Sequence, residues 1–289
     1  MPLKPLLTLP INAFRWARSL RSGRAFSAGQ KARLWLAMAA IQLRSVFHAP
    51  NKSVTARVLG FRISAFDAKA LLYLLREVWI DEPYAIDLPE SPTIVDCGAN
   101  IGASVLFFAL RHPRATILAY EPNPHAFAML RKNVEANGLQ NRVKLVNAAL
   151  SDAPGSAELF FGDDQASLAG SLNAGRGGDR SATVELIRLS DEVRAKLSGR
   201  SIDLVKIDVE GAEHAVVRDM EASGLIGQVG KYAIEYHNNL DAAGPGKLGE
   251  LLARFERAGF RHSIRAGFSR GSVSGSDDSL PEELTQPAM

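Results

Sequence analysis

Thr93-Ile-Val-Asp-Cys-Gly-Ala-Asn-Ile-Gly102 limits the folds open to this chain more than any other stretch. A β-branched run ends there in an acidic residue and a small-residue turn. Ala103 to Arg111 follows with apolar residues at helical spacing, so the unit reads strand, turn, helix. Such a turn directs backbone N–H groups and a helix N-terminus at a ligand, and Gly98 and Gly102 put no Cβ in the way. Between them stands Asn100, the non-glycine residue that best tolerates a left-handed conformation.

Ala115 to Tyr120 reads as a second strand and ends in Glu121-Pro-Asn-Pro124, twenty-five residues after Asp96. In a doubly wound sheet an acidic residue at that place can reach the vicinal hydroxyls of a ribose, which makes Glu121 the candidate ribose ligand, with a solvated loop carboxylate as the competing reading. Pro124 suits the first turn of a helix from His125 to Asn137, closed by Gly138. A nicotinamide dinucleotide asks for G-x-G-x-x-G, and the chain offers Gly98, Asn100 and Ala103 at those positions, a poor fit. Asp96 is better suited to a ligand with a positive amino group; its competing role is to cap the turn by bonding its own loop amides.

Four blocks, Val95-Asp-Cys-Gly-Ala-Asn-Ile-Gly102, Tyr120-Glu-Pro-Asn-Pro124, Asn147-Ala-Ala-Leu-Ser-Asp152 and Val205-Lys-Ile-Asp-Val-Glu-Gly-Ala-Glu213, occur in order. Together they resemble the FkbM family of S-adenosylmethionine-dependent methyltransferases, over roughly residues 58 to 262. The resemblance implies an α/β class I methyltransferase fold, Rossmann-like, with a seven-stranded, mostly parallel sheet and helices on both faces. It also implies S-adenosyl-L-methionine as cofactor and O-methylation of a hydroxyl on a carbohydrate, glycolipid or natural product. Cofactor-binding positions are then expected at Asp96, Gly98, Asn100, Gly102, Glu121, Pro122, Asn123, Ala148, Ala149 and Asp208.

The later blocks read physically in the same direction. Arg142 to Val146 is a third strand, and the small Ala148 and Ala149 beyond it leave room for an adenine ring or merely permit close packing. Asp203 to Val209 is a fourth strand, placing Asp208 and Glu210 at the carboxyl edge where ligands of open α/β sheets bind, and Gly211 to Met220 continues as a helix. Lys231 to Tyr236 is a fifth strand delivering Glu235, Tyr236 and His237 to that edge. A hydroxyl acceptor must lose a proton, so His237 is the first candidate general base, with a purely structural role competing. Asp208 is the second, with ligand orientation as its competing role. Asp208, Glu210 and Glu235 offer oxygen ligands, yet nothing in their spacing demands a metal and none is expected.

Charge divides the chain. Residues 1 to 66 hold eleven Lys and Arg and no acidic residue, which leaves a surplus of eight acidic residues in the remainder behind a net charge of +3. The expected organisation is a basic, acid-free helical arm (1–57), a methyltransferase domain (58–266) and a disordered Ser/Gly/acidic tail (267–289). Within the arm Lys31 to Phe47 reads as a helix. Three readings of the arm compete: docking on the domain, peripheral contact with an anionic membrane favoured by arginines interleaved with Trp16 and Trp35, and a transit peptide. No nucleic-acid module accompanies the charge, so no nucleic-acid partner is expected. Cys97 is the sole cysteine and reads as a core residue, in keeping with a cytoplasmic, reducing compartment. Gly162 to Ala182 reads as a loop, with cover for the acceptor beside the site and a plain surface insertion as the competing readings. The rival from another class is a non-catalytic nucleotide-fold scaffold held at a membrane surface by the arm.

Overall fold

In a computed structural model, residues 12–20, 23–45, 52–162, 170–172, 180–197, 199–237 and 247–264 are described. The expected tail therefore lies outside the described residues.

The centre is a parallel sheet of β3 (Thr93–Cys97), β4 (Thr116–Tyr120), β5 (Val143–Val146), β10 (Ile202–Ile207) and β11 (Val229–Ile234), in the order β11-β10-β3-β4-β5. These are the five strands expected from the sequence. Among the described residues this sheet has five strands, not the seven of the expectation. Between its strands run α4 (Ala103–Arg111), α5 (Pro124–Ala136), α6 (Leu189–Leu197) and α7 (Glu213–Ala222), with α8 (Lys247–Arg257) after β11. Helix α4 has the bounds its periodicity predicts. Helix α5 starts at Pro124 because the Asn123 side chain accepts from the His125 and Ala126 amides.

Alternation along the strands decides which face each residue packs on. Ile94, Ile117, Ala119 and Leu204 face one core with Phe107 and Phe108 of α4, while Val95, Cys97, Leu118, Val205 and Ile207 face another with Val216 and Met220 of α7. Strand β3 is buried at all five positions, the signature of a central parallel strand. Cys97 is fully buried and burial pushes its thiol pKa up, so it is a packing residue.

The arm joins the first of these cores. Residues 12–20 form a helix (α1) and Ala28–Ser45 a second (α2), close to the expected one. Trp16, Leu20, Phe26, Leu34, Met38 and Ile41 are buried in one cluster with Phe107 and Trp79. Trp35 donates its indole N–H to Ala13 O at 2.9 Å. The two tryptophans that favoured a membrane face are thus engaged within the fold, and no described helix is long and apolar enough to cross a membrane. A hairpin of β1 (Val54–Val58) and β2 (Phe61–Ala65) follows, so the expected boundary after residue 57 falls inside a strand.

After the hairpin, α3 (Ala68–Leu74) passes directly into a π-helical segment, Leu75–Ile80, where Asp81 N–H bonds Arg76 O five residues back. Two residues past this run Glu82 sits at φ +50°, and its carboxylate accepts from the Arg24 and Ala25 amides, tying the arm down. A smaller sheet, β6 (Ala149–Leu150), β7 (Gly155–Phe161), β8 (Gly170–Ser171) and β9 (Arg180–Ile187), is ordered β6-β9-β7-β8 beside the main one. The described part of the expected Gly162–Ala182 loop thus includes five strand residues, Gly170 and Ser171 of β8 and Arg180, Ser181 and Ala182 of β9, all paired with β7.

Candidate active site

All five parallel strands present their carboxyl ends at one edge, and the chain's direction of winding reverses between β3 and β10. A crevice outside that edge is where such sheets bind ligands. A cavity of about 750 Å³ opens there, of the size of small-molecule sites. Its walls include Gly98, Asn100, Glu121, Pro122, Ala148, Ala149, Lys206, Asp208, Glu210, Glu235 and His237. Glu77 of the π segment and Gly170 to Leu172 of the smaller sheet complete it.

At one end stands Glu121. Asn100, left-handed at φ +49° as expected, donates its N–H to Glu121 Oε2 at 2.8 Å, and Asn123 N–H donates to Oε1 at 2.8 Å. Burial raises the Glu121 pKa to about 7 against the pull of those two amides and of Lys206. Each oxygen keeps a lone pair for a further donor. Ala148, Ala149, Leu159 and Leu172 supply an apolar wall beside it. A nucleoside fits this set of groups: an apolar wall next to a carboxylate able to accept from vicinal hydroxyls.

Three expected ligands sit elsewhere. Asp96 is 0 % exposed and does not line the cavity; its oxygens accept from Ser104 Oγ at 2.6 Å and face Lys206 Nζ at 3.1 Å. Asp96 lies within β3, whose residues are all buried, and it faces a buried lysine. Asn123 is the α5 cap described above, with only its backbone serving Glu121. Gly102 opens α4 at φ +93°, where a Cβ would lie 2.7 Å from Leu130 Cδ1, so it permits helix packing. Gly98 does line the cavity, but for another reason than ligand approach. A Cβ there would lie 1.7 Å from Asp208 O, so its absence lets the ends of β3 and β10 meet.

Lys206 is the residue that sequence reasoning missed at the centre. It pairs in register with Asp96 across β3 and β10, and its Nζ donates to Gly98 O at 2.7 Å while facing Asp208 Oδ2 at 3.2 Å. Burial alone would lower its pKa, but Asp208 and Asp96 outweigh that and hold it well above the ordinary lysine value. Alternation carried the signal, since a lysine inside an apolar parallel strand requires a carboxylate from a neighbouring strand.

His237 occupies the opposite end. Its Nδ1 hydrogen-bonds Glu213 Oε1 at 2.8 Å, and Nε2 faces Glu210 at 3.5 Å, Glu235 at 3.9 Å and Asp208 at 4.0 Å. Burial opposes charge on the ring, yet the Glu213 hydrogen bond and the Glu210, Glu213 and Asp208 charges raise its pKa to about 9. It is therefore an imidazolium at neutral pH. Glu213, 1 % exposed on α7 and also accepting from Gly211 N–H, was not singled out by the sequence. Burial, then Asp208, likewise raises the Glu235 pKa. Asp208, Glu235 and His237 offer ligand atoms within 4.8 Å of one another, a set with the chemistry to hold a divalent cation once His237 is neutral.

Comparisons with known proteins agree with this geometry. Residues 96–262, more than half of the chain, match the methyltransferase FkbM domain model. Methyltransferase sdnD of Sordaria araneosa is 30% identical over 205 residues, covering 61% of this chain and 78% of that protein. The 31-O-demethyl-FK506 methyltransferase FkbM of Streptomyces tacrolimicus is 29% identical over 232 residues, 70% of this chain and 86% of that protein. The 2-O-methyltransferase NoeI of Sinorhizobium fredii is 32% identical over 140 residues, 44% of this chain and 56% of that protein. With its strand-edge cavity and a domain match of this extent, the chain belongs to the FkbM family of S-adenosylmethionine-dependent methyltransferases.

Proposed function

We propose that this enzyme methylates a hydroxyl oxygen of a carbohydrate, glycolipid or other natural product, and that His237, in the neutral form that gains as pH rises toward about 9, takes the proton which that hydroxyl loses. The observation that carries the reading is the aim of His237: Glu213 holds Nδ1, leaving Nε2 directed at the cavity among Asp208, Glu210 and Glu235. S-adenosylmethionine, when bound, supplies an electrophilic methyl group on a sulfonium. The chain's own work is then placement and proton removal. Glu121 and the wall at Ala148 and Ala149 would hold the nucleoside, and Gly98, Asn100 and Pro122 would border it. Asp208, already facing Lys206, suits the orienting role better than that of base. The order of the parallel strands supports a class I methyltransferase fold, and the names of two relatives, which specify oxygen methylation, support the hydroxyl acceptor.

The test is methyl transfer from radiolabelled S-adenosylmethionine to a panel of hydroxyl-bearing glycans, glycolipids and natural products, with the native protein and His237→Ala. Label should appear on oxygen, and the variant should lose roughly two to four orders of magnitude in rate with cofactor affinity little changed. Label on nitrogen or carbon, or a variant with near-native turnover from pH 6 to 9, refutes the reading.

A further inference from the structure

The donor's methionine end carries an α-ammonium, and the residue expected to receive it, Asp96, is buried against Lys206 and Ser104. The carbonyl of Gly98, a backbone acceptor on the turn, already takes a hydrogen bond from Lys206. Among the cavity's carboxylates, Asp67 accepts from the Ala70 amide, Glu121 accepts from two backbone amides, Asp208 faces Lys206, and Glu210 and Glu235 face His237. Glu77 differs from them all. It lines the same cavity, its carboxylate accepts from Tyr73 Oη–H at 3.1 Å, and it has no ion-pair partner among the described residues.

We propose that Glu77, carried on the π-helical segment, receives the α-ammonium of S-adenosylmethionine and so completes the donor site; the proposal rests on the family's use of that cofactor. The segment is built to hold one side chain in place. Its extra residue widens the turn, as π-bulges at functional sites commonly do. Trp79 beside it is fully buried and donates its indole N–H to Ala103 O at 3.1 Å, the first residue of α4. Glu77 is thus fixed relative to the Gly98–Gly102 turn, which leads directly into that helix. Burial, with the Glu235 and Asp208 charges behind it, holds the Glu77 pKa at about 7. An arriving cation relieves that repulsion, adding to the smaller pull of Tyr73 and Lys206 on the carboxylate.

Three ligands separate the ammonium from the rest of the donor. S-adenosylhomocysteine carries the ammonium and the carboxylate, decarboxylated S-adenosylmethionine keeps only the ammonium, and 5′-methylthioadenosine has neither. Calorimetry on the full chain and on Glu77→Gln should show the first two weakened roughly 10- to 100-fold, the loss of one hydrogen bond between charged groups. Binding of 5′-methylthioadenosine should stay within about twofold, which also reports an intact pocket. Unchanged affinity for S-adenosylhomocysteine in the variant, or an equal loss for all three ligands, overturns the assignment of Glu77. A native protein that binds no S-adenosylhomocysteine overturns the cofactor reading beneath it as well.

Discussion

Replacing Glu213 by Gln removes a charge while leaving an oxygen that can still accept from His237 Nδ1, now 2.8 Å from the carboxylate. The His237 ring stands at about 9 where an ordinary histidine stands at 6.5, with burial acting against the shift and the Glu213 hydrogen bond the first of the contacts that produce it. A rise of that size corresponds to ~3 kcal/mol favouring the charged ring. Glu213 acts through both its hydrogen bond and its charge, so Glu213→Gln should lower the His237 pKa by at least about one pH unit. At pH 7 the neutral fraction of the ring then grows from about 1% to about 10%.

Carbon-13 labelled histidine reads this without an acceptor substrate. The Cε1–H resonance of His237, assigned by its loss in His237→Gln, should titrate near 9 in the native protein and near 8 or below in Glu213→Gln. The same shift appears in stability. A folded-state pKa raised above the unfolded one contributes stability that is complete below about pH 6.5 and is lost as pH rises through about 9. Melting temperature should therefore fall between pH 7 and 10, and fall less in the variant. A native His237 titrating near 6.5, or a pKa unmoved by Glu213→Gln, would show that the acidic surround does not act on the ring.

Lys206→Met leaves Asp96 buried and uncompensated, so it should cost roughly 3–5 kcal/mol, read as a lower urea midpoint. Gly98→Ala, with φ at +85° and its Cβ 1.7 Å from Asp208 O, should give little folded protein, whereas Gly60→Ala, also at positive φ but open around its Cβ, should yield soluble protein of native near-ultraviolet circular dichroism. Glu121→Ala should weaken S-adenosylmethionine and S-adenosylhomocysteine by roughly 1.5 to 3 kcal/mol in calorimetry. Deleting residues 1–50 removes Trp16, Leu20, Phe26, Leu34, Met38 and Ile41 from the core, roughly 10 kcal/mol of burial. That approaches the whole stability of a domain, so the truncated chain should be insoluble or lack native near-ultraviolet circular dichroism.

Legibility in the sequence followed the range of each signal. The five strands, the bounds of α4 and the left-handed Asn100 rest on local patterns of alternation, spacing and turn chemistry, and these needed no partner to be read. Glu121, at the end of β4, is placed by chain position alone. The roles of Asp96 and Gly102 depend on which residue stands opposite, Lys206 in one case and Leu130 in the other, over 110 and 28 positions away. Glu77 lies far before the motif blocks, on a helix whose departure into π geometry leaves no periodic trace. Glu213 was inside a quoted block, yet its use depends on His237 arriving from β11.

The burial of Asp96 inside β3 decides how charge is divided in the cavity. An acidic residue within a strand and one just past its end look alike in sequence, but the first is covered by neighbouring strands and the second meets the crevice. Asp96 and Lys206, in register at the junction of β3 and β10, neutralise each other and anchor Gly98 O. The remaining cavity carboxylates exceed the cations that face them, because Lys206 is shared between Asp96 and Asp208 and His237 is shared among Asp208, Glu210, Glu213 and Glu235. A site with that surplus favours a ligand bringing positive charge, and a sulfonium with an α-ammonium brings it twice. Methyl transfer removes one of those charges from the donor, so the same surplus attracts the demethylated product less strongly than the methylated form.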